Sequence, residues 1–130
     1  MAVKKFGTVR SAFHAAVPVA DLDTAYVVVP AAKDRQYTIL DGWVRATGNF
    51  GNANATIGDG TTTAVAFTLA GMADGVILRF GKATTAVGTN MLTALLVNKP
   101  IVFVTSALET TATALDIYVE YGVSAVEETA

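Results

Sequence analysis

The sequence contains no cysteine. That removes disulfides, thiolate nucleophiles and cysteine-ligated metals together. It contains one histidine, His14, so a zinc site would have to be built mainly from carboxylates, against the metal's preference. Charge is scarce as well. Only 15% of the residues are charged, against roughly 25% in an average soluble domain. The net charge of −2 supplies no basic footprint for nucleic acid. No stretch approaches the roughly 20 consecutive apolar residues of a membrane span. The longest apolar patches, such as Tyr26 to Val29 and Ile101 to Val104, have the length of strands.

What is present is apolar and β-branched. Hydrophobic residues make up 52% of a 130-residue chain, enough for one domain with a real core. With no membrane span to explain that content, burial between subunits is the expectation. The cations gather early: Lys4, Lys5 and Arg10 precede the first acid, Asp21. Two early lysines and the small residues near Ala20 faintly resemble a secretory leader. Arg10 and His14 interrupt the apolar segment, however, and it lacks leucine, so we read it as an N-terminal arm.

Residues 1–23 form that arm, 24–126 a β-domain and 127–130 a tail. In the arm Phe6, Val9, Phe13 and Val17 recur at spacings of three and four, which suits one face of a short helix ended by Pro18. An extended arm docked on a neighbour is the alternative.

From Thr24 the period becomes two. Strands are expected over Tyr26–Val29, Gln36–Thr47, Ala53–Ile57, Thr63–Leu69, Val76–Phe80, Ile101–Thr105 and the segment from Leu115 to Tyr121. The last is the clearest: Leu115, Ile117, Val119 and Tyr121 alternate with Asp116, Tyr118 and Glu120. Asn90–Asn98 fits a short helix or an irregular edge strand. The fold class is therefore all-β: a single antiparallel β-sandwich or jelly-roll-like domain of seven or eight short strands.

The stretch GWVRATGNFGNANATIGDGT, Gly42 to Thr61, is the obvious place to look for a site. It holds neither GxxxxGK[ST] nor GxGxxG, and β-branched residues follow Gly60 where a phosphate loop would open a helix. One carboxylate, Asp59, is too few for a calcium loop, although a structural ion shared with Asp21, Asp23 or Asp74 remains open. Turn chemistry accounts for the rest, with Asp59-Gly60 a strong hairpin signal. The stretch then reads as a meander of three strands.

No catalytic set emerges. His14 has no acid beside it in sequence to position it as a base. Asp21 with Asp23 sits in a linker, and Asp116 with Glu120 on a face that reads as solvated, not across a cleft. No cofactor is implied. Trp43, next to Val44 and Arg45, is read as core in a central strand, and Tyr118 as the better exposed aromatic. The two are the candidates for a sugar-stacking platform.

The core QYTILDGWVRATGNFGNANATIGDGT and the late strand LDIYVEYGV resemble small all-β structural proteins of tailed bacteriophages. These are the capsid decoration (cement) proteins and the β-sandwich tips of tail fibres and spikes. The likeness covers Thr24 to Val123 and lies in short length, Ala/Thr/Val richness and the strand–GDGT–strand signature. It implies a non-enzymatic virion structural protein, made in the host cytoplasm and seated on the capsid exterior as a homotrimer, where it stabilises the head. Its partners would be its own copies and the major capsid protein lattice, not nucleic acid or membrane. Lys4, Lys5, Phe6, Arg10 and Phe13 would grip that lattice or a neighbouring subunit. The alternative within the same resemblance is a receptor- or glycan-binding tip.

Overall fold

The structure, a computed structural model, describes residues 2–80 and 94–128; the side chains of residues 2–6, Phe67, Glu127 and Glu128 lie outside the description. Eight strands and one helical turn follow in order. They are β1 (Ala2–Pro18), α1 (Val19–Leu22), β2 (Tyr26–Val29), β3 (Arg35–Thr47), β4 (Asn54–Gly58), β5 (Thr63–Thr68), β6 (Ile77–Arg79), β7 (Ile101–Thr105) and β8 (Ala114–Glu128). The prolines punctuate them: Pro18 closes β1, Pro30 follows β2 and Pro100 precedes β7. Each lacks the N–H that a continuing ladder needs.

The strands form two four-stranded sheets, β1-β8-β3-β6 and β2-β7-β4-β5. Four antiparallel pairs, β1·β8, β2·β7, β3·β6 and β4·β5, nest as the rungs of one long hairpin. Two further pairs, β3·β8 and β4·β7, close that hairpin into two sheets. This is jelly-roll connectivity. The tip of the whole hairpin is the Asp59-Gly60 turn between β4 and β5. Gly60 sits at φ +91°, in the left-handed region that glycine enters without a Cβ clash. The meander expected from the sequence is corrected here. Only β4–turn–β5 is a local hairpin, because β3 and β4 belong to different sheets.

The core lies between the sheets. Ile39, Val44, Leu115, Ile117 and Val119 face Ile57, Val65, Ile101 and Phe103 across it, all fully buried. Each such side chain contributes roughly 1.5–3 kcal/mol relative to exposure. Leu22 of α1 and Phe80 are buried with them, the Phe80 ring lying over Gly42 of β3. The alternation read from β8 holds: Leu115, Ile117, Val119 and Tyr121 are buried.

In β3 the alternation is broken. Ile39 faces Tyr121 and Asp41 faces Glu120, so Leu40 is an extra residue, a β-bulge. Before it the odd residues Tyr37 and Ile39 point inward. After it the even residues Val44 and Ala46 do. The apolar residues on both parities of β3 therefore serve one inner face, and Trp43 is turned to the outside of the sheet.

Residues 2–18 are extended, not helical. Along its length β1 pairs with β8, from Ala2↔Glu128 to Pro18↔Ala114, with irregularities between Phe6 and Thr8 and between His14 and Val17. The extended alternative is thus the one adopted, with the partner strand supplied by the same chain. Asn90–Asn98 lies outside the described residues as far as residue 93. From Ala94 it runs irregularly beside β3, where the Leu95 N–H donates to the Tyr37 carbonyl at 2.8 Å.

Candidate binding face and the loop staples

The glycine- and asparagine-rich stretch is held by the protein's own carboxylates. Glu109, 4% exposed, accepts four backbone N–H groups, Gly51 and Asn52 at one oxygen and Thr111 and Ala112 at the other. The Thr111 hydroxyl lies 2.8 Å from the second oxygen. Burial alone would raise its pKa, but the donors from Thr111, Ala112 and Asn52 outweigh it and lower the pKa to about 2. The loop is an anion cradle after all, and its anion is Glu109.

Asp59 does the same at the hairpin tip. Its carboxylate accepts Thr61 N–H at 2.8 Å, Thr62 N–H at 2.6 Å and Leu96 N–H at 2.8 Å. Burial opposes ionisation and these donors overcome it, so its pKa is lowered. Asn49 and Asp74 clamp two loops reciprocally: Gly48 N–H donates to Asp74 Oδ1 and Asp74 N–H donates to Asn49 Oδ1. Among the described residues no three of His, Cys, Asp or Glu converge as a metal would require.

Asp116 departs from its expected solvated position. It is 5% exposed, forms an ion pair with Arg45 at 2.7 Å and accepts the Ala16 N–H at 2.7 Å. That contact pins the irregularity near the end of β1, where Ala16 has φ +50°. His14 ties the sheets together. The Val28 carbonyl, 2.8 Å from Nε2, can only accept, so Nε2 carries a proton, while the Tyr26 hydroxyl lies 2.6 Å from Nδ1.

The outer face of the longer sheet carries the exposed chemistry. Register places Phe13 beside Tyr118, Tyr118 beside Trp43 and Trp43 beside Arg79, one row across β1, β8, β3 and β6. Trp43 and Tyr118 stack with centroids 5.6 Å apart and 25° between planes; Phe13 and Trp43 are 5.8 Å apart. The neighbouring row opposes Asp41 and Glu120. Like charges directly opposite are unfavourable, and each acid has a counterweight. Arg79 Nη2 donates to Asp41 Oδ2 at 2.8 Å, and the Tyr118 hydroxyl donates to Glu120 Oε1 at 2.9 Å. The Gly42 N–H, and secondarily Arg79, hold the Asp41 pKa below its usual value although burial works against them. The bond to Glu120 raises that of Tyr118. Asp41, Gly42, Trp43, Ile77, Arg79, Tyr118 and Glu120 line a cleft of about 350 Å³.

The structure thus joins Trp43 and Tyr118, as candidate aromatics, with Phe13, which the sequence reading had assigned to a separate arm. Arg10 stands exposed on β1 opposite Tyr121. Lys4, Lys5 and Phe6 occupy β1 opposite Val126, Ala125 and Ser124. Asp41, Ile77 and Arg79 were not singled out from the sequence. The bulge at Leu40 turns Asp41 and Trp43 outward together, and register sets Arg79 and Ile77 of β6 beside Trp43 and Arg45; no residue type signals either. No protein-family model, curated protein or solved structure matches the chain.

Proposed function

We propose that this protein is a non-enzymatic structural component of a tailed-phage virion, a decoration protein that seats on the outer capsid lattice as a homotrimer and stabilises the head. The observation that supports the reading is the free edge of β1. This strand is 17 residues long and, among the described residues, pairs on one side only, with β8. The other sheet edges, β2, β5 and β6, are 4, 6 and 3 residues long. Val9 and Phe13 on β1 are 61% and 55% exposed. A long unpaired edge is a template for an added strand. Lys4, Lys5 and Arg10, with no acid before Asp21, disfavour β1 pairing with a second β1 and favour an acidic extended segment of a partner. The apolar, charge-poor composition adds support, since it suits surface that becomes buried on assembly. Jelly rolls recur in viral capsid and lectin domains, an analogy of fold that carries no residue-level argument.

The test is reconstitution on undecorated particles, with electron microscopy to locate the added density. Head density at local threefold axes is expected. Density on the tail, or a strictly monomeric protein at micromolar concentration, overturns the reading. Removing residues 1–20 would also strip β8 of one of its two neighbours and expose the core near Val17. Charge reversal of Lys4, Lys5 and Arg10 together is the cleaner perturbation. It should weaken attachment at least about tenfold, the scale of one lost favourable contact, while the fold persists.

A further inference from the structure

The cleft on the outer face of the longer sheet has a composition that lattice docking does not require. Its walls are apolar and aromatic: Trp43, Tyr118 and Ile77, the last 53% exposed. Its rim is planar and charged. Arg79, with its side chain 63% exposed, has one guanidinium nitrogen engaged with Asp41 and its other N–H groups free among the described residues. Glu120 accepts from Tyr118 through Oε1, and Oε2 has no partner among the described residues. Asp41 stands beside it on the next strand.

Few ligands match both halves. An aliphatic peptide side chain would use the walls and leave the spare N–H groups of Arg79 and the second oxygen of Glu120 to be desolvated without new partners, which is costly. An anion would meet Arg79 but be repelled by the two carboxylates. A nucleic acid is disfavoured for the same reason, and by the chain's net charge of −2. A pyranose has an apolar C–H face to lie against an aromatic ring and a rim of hydroxyls that each donate and accept. Carboxylates take hydroxyl protons and a guanidinium donates to hydroxyl oxygens. The volume of about 350 Å³ lies near the lower end of small-ligand sites, roughly 300–1,000 Å³. It suits one or two sugar rings.

We propose that the cleft formed by Asp41, Trp43, Ile77, Arg79, Tyr118 and Glu120 is a binding site for neutral pyranose units of a glycan. The ring stacks on the aromatic wall at Trp43. Arg79, Asp41 and Glu120 hold vicinal hydroxyls. The cleft is open at the surface, so it takes residues within or at the end of a chain rather than enclosing a free sugar. The site stands independently of the virion assignment: a decoration protein and a fibre tip could both carry it.

Trp43 is the sole tryptophan, so intrinsic emission reports on the cleft alone. The full-length protein is titrated with methyl glucoside, methyl galactoside, methyl mannoside and a β-linked glucose tetramer, to about 50 mM, where a millimolar site saturates. Amide chemical shifts are recorded in parallel. A saturable change in Trp43 emission, with shifts confined to residues 41–45, 77–79 and 118–120, is expected with at least one of these sugars. Arg79→Ala and Glu120→Gln should each weaken that binding by about tenfold or more, the scale of one or two lost hydrogen bonds, with unchanged thermal midpoints. For Trp43→Ala, whose emission is lost, the shifts give the affinity. The proposal is overturned if no sugar produces saturable changes, if the shifts lie elsewhere, or if both rim variants bind as well as the parent. Stronger binding of glucuronate or a sulfated sugar overturns the neutral-ligand assignment.

Discussion

Two glutamates in this molecule have opposite surroundings. Glu109 lies in a loop with both oxygens taken by backbone N–H groups of Gly51, Asn52, Thr111 and Ala112. Glu120 lies on a regular strand, with one oxygen on a neighbouring phenol and the other unpartnered among the described residues. A carboxylate whose capacity is filled by the fold can hold loops together but can hold nothing else. One with capacity to spare, beside exposed aromatics and a guanidinium, can take a ligand. Glu109 is thus framework, as are His14 and buried Asp116 on the strands, whereas Glu120 belongs to the candidate site.

The comparison breaks most readily at Glu109. Glu109→Ala leaves four backbone donors without their acceptor and should destabilise the fold by about 3 kcal/mol, read from the urea midpoint. A loss below about 1 kcal/mol would mean water replaces the carboxylate and the staple is dispensable. Acid should act on the same group. Its folded pKa of about 2 lies below the ordinary value of 4.5. The stabilisation is therefore fully present above about pH 4.5 and fades as pH falls toward about 2, by an amount on the order of 2–3 kcal/mol. Asp59 adds in the same direction. Glu109→Gln should flatten that part of the pH profile, and an unchanged acid profile would count against the assignment.

Smaller effects sharpen the contrast. Gly60→Ala at φ +91°, with open space around it, should cost about 1 kcal/mol through backbone strain alone. On the outer face the Arg79–Asp41 pair is largely exposed. Arg79→Ala should change stability by less than about 0.5 kcal/mol. If it cost as much as the loop substitutions, the face would be framework too and its claim as a site would weaken.

The strands were largely legible because most bury one face, and burial imposes a period of two; β8 is the clearest case. Two features were not. Leu40 inserts one residue into β3, and no residue type announces a bulge, so Trp43 read as core. In β1 the spacing of Phe6, Val9, Phe13 and Val17 resembled a helix because little of the strand is buried. Of residues 7–16 none is fully buried, so nothing forces alternation, and two irregularities shift what remains. The staples were hidden for a different reason. Asp59-Gly60 is recognisable as a turn from adjacent residues, whereas Glu109 meets Gly51 across 58 positions and its own neighbourhood gives no sign of the contact. The cleft joins three strands, β3, β6 and β8, and its membership follows from register, which single-strand patterns do not encode.

The nesting of β1 against β8 has a consequence for how the chain is made. The bond from Ala16 N–H to Asp116 spans 100 residues, and among the described residues β8 is the one strand that pairs with β1. During synthesis at about 5–20 residues per second, β1 emerges first and waits several seconds for its partner to leave the ribosome. The β4–β5 hairpin, joined by a four-residue turn from Asp59 to Thr62, can close almost at once. The paired strands therefore become available from the tip of the roll outward to its ends, and distant contacts of this kind slow folding. The early cations, Lys4, Lys5 and Arg10, keep the waiting strand soluble and discourage it from pairing with the same strand of another nascent chain.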